Sequence, residues 1–273
     1  MIIIGEKING FIPATMKAIE AHDDDYIRKL ARDQAEFGAS YIDVCPGVAP
    51  EIERETMNWL VGLVQEVTDV PLSIDSPDPQ VIVDTMPLAK TPGILNSASM
   101  EKDKCDVLFQ AIAGTEWKCV CLTCDDEHGV PSEASIKFEI AQQVMEKAAK
   151  YGVANEQIFF DPVVTTLGTT PDALISFMEA SRMILDAWPG VTITSGLTNI
   201  SHGMPMRKYI NMQFLSLAMG AGMTSAIMDP TSRDMRTVMY TVDALLGNDK
   251  KGLKLLKAYR KDLIGPPKDQ RKK

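Results

Sequence analysis

Eight times along this chain a short, β-branched run meets a polar residue and gives way to a helical pattern. The runs cover residues 2–5, 41–42, 71–74, 93–95, 118–122, 158–160, 191–198 and 225–228. They meet Glu6, Asp43, Asp75, Asn96, Thr123, Asp161, Asn199 and Asp229 in that order. Strand–helix alternation repeated eight times is what a closed (β/α)8 barrel requires, and such barrels carry their chemistry on the carboxyl ends of the strands. The pattern therefore predicts a fold and the place of the active site together.

The helical stretches fall at 25–37, 51–67, from Asp78-Pro79 onward, 102–113, 132–152, 171–187, 207–219 and 232–246, with a further amphipathic stretch at 253–263. Asp78 caps its helix with Pro79 in the first turn, and Gly38 and Gly152 stand where helices end. Asp23-Asp24-Asp25 reads as a cap with acidic complement to the helix dipole. No linker or second apolar block interrupts the series. The expectation is one barrel domain, residues 1–264, and a flexible, solvated basic tail, 265–273. A chain of 273 residues suits this, since one such barrel uses about 250.

Charge and composition exclude several classes of function. The net charge is −9; the last nine residues carry three Lys and one Arg against one Asp, leaving the body near −12. No basic patch suggests nucleic acid. No apolar run approaches the roughly 20 residues that cross a bilayer, and the opening strand lacks a basic leader. Five cysteines is an odd number, concentrated in strands, which points to reduced thiols and a cytoplasmic protein. Cys119, Cys121 and Cys124 alternate on a strand, with Cys124 facing away from the other two, so they cannot easily share one metal ion. They read as small filling for the barrel interior, and no protein-bound metal is expected.

In a barrel the strand ends converge on one cavity, lined here by Glu6, Asn9, Asp43, Asp75, Asn96, Thr123, Asp161, Asn199 and Asp229. An unpartnered buried carboxylate is costly, so these residues need a reason. A strand-borne Lys for Schiff-base chemistry is missing, and so is a phosphate loop or basic cluster after strands seven and eight. Acids and amides suit a flat, neutral ligand whose N–H donors alternate with acceptors, as a pterin or purine edge does. Asp43 and Asp229 stand equally well as helix caps or loop braces.

The motifs Ile3-Ile4-Gly5-Glu6-Lys7-Ile8-Asn9-Gly10, Ile74-Asp75-Ser76, Leu95-Asn96-Ser97, Phe160-Asp161-Pro162 and Gly196-Leu197-Thr198-Asn199-Ile200-Ser201 resemble those of the methyltetrahydrofolate:corrinoid methyltransferases, in the same order along the chain. The resemblance implies a pterin-binding barrel that moves a methyl group between N5 of tetrahydrofolate and a corrinoid cobalt. It implies that Asp75, Asn96 and Asp161 hold the pterin and that the catalytic Asn199 serves N5. Ser76, Ser201 and Arg207 become secondary candidates, Arg207 for a folate oxygen or for its loop. Cys45 departs from the family, which more often has Asn there. The Met-rich loop 201–206 suits either plain packing or an adaptable contact with a corrinoid partner. Asp126-Glu127-His128 begins like a corrinoid-binding motif, but Pro131 occupies the place of a required Gly. Corrinoid is therefore expected in trans, free or on another protein. The resemblance also implies a homodimer. Dihydropteroate synthase is the nearest alternative, disfavoured by the strand-one sequence and by Met228-Asp229-Pro230; a non-catalytic folate-binding subunit is the other.

Overall fold

A computed structural model describes residues 1–271, in which eight parallel strands form one sheet in the order β7-β6-β5-β4-β3-β2-β1-β8. The elements are β1 (Ile2–Asn9), α1 (Pro13–Glu20), α2 (Asp24–Glu36), β2 (Tyr41–Cys45), α3 (Pro50–Val67), β3 (Leu72–Asp75) and α4 (Pro79–Thr85). They continue as β4 (Ile94–Met100), α5 (Lys104–Ile112), β5 (Lys118–Asp125), α6 (Ala134–Tyr151), β6 (Ile158–Asp161) and α7 (Ala173–Ala187). β7 (Thr192–Ile193), α8 (Arg207–Gly220), β8 (Ser225–Met228), α9 (Arg233–Leu245) and α10 (Leu253–Arg260) complete the chain. This is the (β/α)8 barrel that the alternation predicts.

The barrel closes between β7 and β8 without a full ladder. Ile227 N–H donates to Ser195 at 2.9 Å, Leu197 N–H to Ile227 at 3.2 Å and Thr224 N–H to Ile193 at 3.2 Å. Only Thr192–Ile193 counts as strand where a run over 191–198 is predicted, because the chain leaves the sheet at Gly196 and winds into a one-turn 3-10 helix at Asn199–Ser201. Elsewhere strands run past their polar residue. Glu6, Asp43, Asn96 and Thr123 lie inside β1, β2, β4 and β5, not at their ends.

Alternation along each strand separates two cores. Ile4, Ile94, Val120 and Phe159 form an inner cluster, with Ile2, Tyr41, Leu122 and Ile227 packed against it. These side chains come from six strands, so they fill the barrel interior. Below them Lys118 Nζ donates to the Tyr41 hydroxyl at 3.1 Å. The outer cluster lies between sheet and helices and contains Cys119 and Cys121 along with Phe109, Val144 and Phe177. This corrects the expectation that those cysteines fill the interior; they share their strand face with helix-packing side chains.

α1 has no counterpart among the predicted helices. It starts at Pro13 after an Ile12 whose side chain cannot cap, and it buries only Thr15, Ala18 and Ile19. Asp23 and Asp78 do cap α2 and α4, accepting from the amides of Tyr26 and Gln80. The expected free tail is docked as far as residue 271. Gly265 N–H donates to Thr237 at 2.8 Å, and the Arg271 guanidinium lies 3.7 Å over the Tyr259 ring and donates to Asp262 at 2.8 Å. Residues 272–273 lie outside the described residues.

Candidate active site

Above the inner apolar cluster the same strand faces turn polar. Parallel pairing sets Asp43 beside Ser73 and Asp75 beside Asn96, so side chains from β2, β3 and β4 meet. Asp43 is buried at the centre of this set. Its Oδ1 accepts from Ser73 Oγ at 2.6 Å and from Asn96 Nδ2 at 3.3 Å. Asp75 lies within hydrogen-bonding reach of both Asp43 and the Cys45 thiol. Burial pushes both carboxyls up, and the charge of Asp43 raises Asp75 further, while the contacts with Ser73, Asn96 and Asp75 hold Asp43 down. These contacts fit the bracing reading of Asp43, since they hold Asn96 and Ser73 in place. Cys45, standing where the family favours Asn, is a protonated thiol raised by burial and by Asp75.

A second set forms on β6 and the loop after β7. Asp161 is buried, and its Oδ2 accepts from the Gly196 amide at 3.3 Å. The Val163 amide also faces this carboxylate. Its other oxygen, Oδ1, has no partner. Burial pushes the Asp161 carboxyl from an ordinary 3.8 up to about 7, against the pull of those two amides and of Lys137. Gly196 also abuts Asn199, whose Nδ2 lies 3.1 Å from where a Cβ on Gly196 would stand. Hydrogen at that position lets one glycine touch both Asp161 and Asn199 at once. The Asn199 side chain itself is exposed to the mouth.

The third set is Glu6, Lys7 and Asp229. Glu6 is pushed up to about 7, chiefly by burial and then by Asp229. Asp229 ties its own loop: Oδ1 accepts from the Thr231 amide at 2.8 Å and hydroxyl at 2.6 Å, and Oδ2 lies 3.5 Å from Lys7 Nζ. A cleft of about 220 Å³ opens beside this set, lined by Glu6, Leu197, Thr198, Lys208, Asn211 and Asp229 among others. It flanks the Asn199 loop and does not reach Asp75, Asn96 or Asp161.

The remaining candidates hold the frame. Asn9 accepts from the Phe11 amide at 2.9 Å, and Ser76 donates to the buried Glu53 at 2.7 Å. Arg207 donates to Ser201 Oγ at 3.1 Å and to the Thr198 carbonyl at 3.2 Å, which favours its role on the loop over one on a folate oxygen. Thr123 is not a lining residue. It shares its strand face with Cys119 and Cys121 and is fully buried. Among the described residues no three His, Cys, Asp or Glu are grouped as metal ligands, and no helix is long and apolar enough to cross a membrane.

Two residues escape the strand-end pattern. Glu53 reaches the site from α3. Lys137, on α6, is 1% exposed and donates to the Val163 carbonyl at 3.0 Å. The signal for Lys137 was the helix period: it lies one turn before Ala141 on the stripe that continues through Val144 and Ala148.

Comparison with known proteins agrees with this geometry. The family model for pterin-binding enzymes matches residues 14–229. A methylcorrinoid:tetrahydrofolate methyltransferase of Eubacterium limosum is 47% identical over 97% of this chain and 98% of its own length. A methionine synthase of Mycobacterium leprae (strain TN) is 26% identical over 83% of this chain, which corresponds to 20% of that longer protein. Among solved structures, a Yersinia pestis dihydropteroate synthase superposes with a TM-score of 0.67 at 16% identity, covering 90% of this chain and 93% of the other. One from Xanthomonas albilineans, in complex with 7,8-dihydropteroate, gives 0.67 at 15%, over 90% and 92%. These last two are likenesses of fold.

Proposed function

The chain belongs to the pterin-binding enzyme family and to its methylcorrinoid:tetrahydrofolate methyltransferases, and from that premise we propose that it transfers a methyl group from a corrinoid cobalt to N5 of tetrahydrofolate. The observation that carries this is the Asp161 carboxylate, buried with one oxygen unpartnered among acids and amides. Such a group is stable only beside donors, and the 2-amino and N3–H groups of a pterin are two donors side by side. Asp75 and Asn96, held by Asp43, take the N1/N8 side of the ring.

Methylcob(III)alamin and tetrahydrofolate are both substrates of this reaction. In the displacement the N5 lone pair attacks the methyl carbon, the Co–C electron pair stays on cobalt as Co(I), and N5 gives up its proton to solvent. Asn199 suits both ends of this step. Its amide oxygen accepts from N5–H before transfer, and its NH2 donates to the N5 lone pair afterwards. A hydrogen bond that strengthens in the transition state contributes about 2–4 kcal/mol. Corrinoid is supplied in trans, on a carrier or free, and approaches the mouth where Phe11 (79%) and Met206 (69%) are exposed on rim loops. A homodimer, a cytoplasmic setting and a barrel domain over residues 1–264 complete this reading.

The test is anaerobic mixing of methylcobalamin, tetrahydrofolate and the protein, with the Co(I) spectrum as readout. Asn199→Ala is expected to slow its appearance about 100-fold while folate affinity changes less than about fivefold. Folate binding without any Co(I) would mark a non-catalytic folate-binding subunit. An unchanged rate in the variant would remove Asn199 from the chemistry.

A further inference from the structure

The transfer chemistry above does not use Lys137, a buried cation beside the site. A fully buried lysine on a helix otherwise packed by Ile140, Ala141, Val144 and Ala148 is costly, and a single carbonyl acceptor satisfies only one of its three donors. That carbonyl belongs to Val163, a β-branched residue at φ +31°, where such side chains rarely sit. The unusual turn has two consequences. It directs the Val163 carbonyl at Lys137 and the Val163 amide at the Asp161 carboxylate. One peptide segment thus joins a buried cation to the buried anion that still has an unpartnered oxygen.

We propose that Lys137 is a positioning residue for folate binding: through the 161–163 turn and its positive field it keeps Asp161 ionised and aimed at the pterin. The inference rests on the pterin-binding reading of Asp161. The charged and titratable neighbours are few. Asp161 and Asp172 face Lys137, while Lys137 and the Cys124 thiol face Asp161. Cys124 is raised by its own burial and stays neutral, so among the described residues Lys137 is the cation that offsets the desolvation of Asp161. Burial lowers Lys137 itself to about 8, so it is charged at pH 7 and loses its charge in mild alkali.

This gives a signature that lost packing would not. Removing the cation raises the pH at which Asp161 ionises, and each unit of that change weakens binding about tenfold at pH 7. At pH 9 the carboxylate is ionised and wild-type Lys137 is already neutral, so the two proteins converge. The experiment measures binding of 5-methyltetrahydrofolate by calorimetry from pH 6 to 9, in two buffers of different ionisation enthalpy. It compares wild type with Lys137→Met, and uses Lys137→Gln for the same test if the Met variant does not fold. Expected in the variant are about tenfold weaker binding at pH 7, greater proton release there, a gap under about threefold at pH 9, and kcat at saturating folate unchanged. An affinity loss equal at pH 6 and pH 9, unchanged proton release, or failure of both variants to fold overturns the assignment. Wild-type protein that binds no folate at any pH overturns the function proposed above instead.

Discussion

The two ends of the barrel interior are built from the same strands on the same inward faces, yet they obey opposite rules. At the amino end Ile4, Ile94, Val120 and Phe159 close on one another with no polar atom among their side chains. A few residues farther along, the inward positions are Glu6, Asp43, Asp75 and Asp161, four carboxyls drawn into a poorly solvated space. The lower layer lowers the free energy of the fold. The upper layer raises it, and is stable only because neighbouring donors and raised pKa values offset the desolvation. A barrel of this kind separates stability from recognition by height along the strand.

The sharpest way to break this contrast is at the bottom. Phe159→Ala deletes a ring that is 1% exposed, and it should cost about 3–5 kcal/mol in chemical denaturation. Folate affinity of the folded fraction should be unchanged within about twofold, because the ring lies in the apolar layer below the carboxyls proposed to bind it. A variant that kept its stability would show the interior layer to be loosely packed. At the top the outcome reverses. Asp161→Asn should weaken folate binding by at least about 100-fold, since two charge-assisted acceptor bonds are lost, while leaving the fold at least as stable at pH 8. Fluorescence titration and thermal melts on one sample measure both; loss of stability together with affinity would make Asp161 a structural residue.

The smallest effect is in pH. Glu6 and Asp161 titrate near 7 when folded but near 4 when unfolded, so between those values the folded chain holds protons that the unfolded chain has released. Their contribution to stability is fully present below about pH 4 and is lost as pH rises through 7. Ligand-free protein should therefore lose stability across that interval, and Asp161→Asn should flatten the loss by on the order of 2 kcal/mol. Parallel slopes for the two proteins would remove Asp161 from the buried, raised carboxyls.

How much of this is legible in the sequence depends on which signal a residue sends. Asp75, Asp161 and Asn199 stand out because a polar side chain interrupts an apolar run; the first two are carboxyls raised by burial, and Asn199 is exposed. Thr123 sends the same signal and belongs to the outer face, since the count of residues into a strand decides which side is inner, and β5 extends beyond the run. Cys119 and Cys121 were assigned to the wrong core for the same reason. α1 is nearly silent, lacking a side-chain cap and burying three residues in eight. Lys137 misleads more than it is silent: a lysine in a helix reads as solvated, and only its register with Ala141 and Val144 contradicts that. The Asp43–Asp75 contact and the Val163 turn depend on strand register and backbone angle, which no local pattern encodes.

The short β7 leaves the ring of strands joined there by few stitches, whereas the opposite arc, from β1 through β5, is sewn by longer ladders, with register shifts in the β1–β2 and β4–β5 pairs. Asn199 lies where the chain leaves the sheet beside that loose seam, whereas Asp75 and Asn96 belong to the longer-paired arc. Regions with fewer such links open at lower cost. Asp75 and Asn96 thus stand on the stiff half of the hoop, and Asn199 on the half that can give.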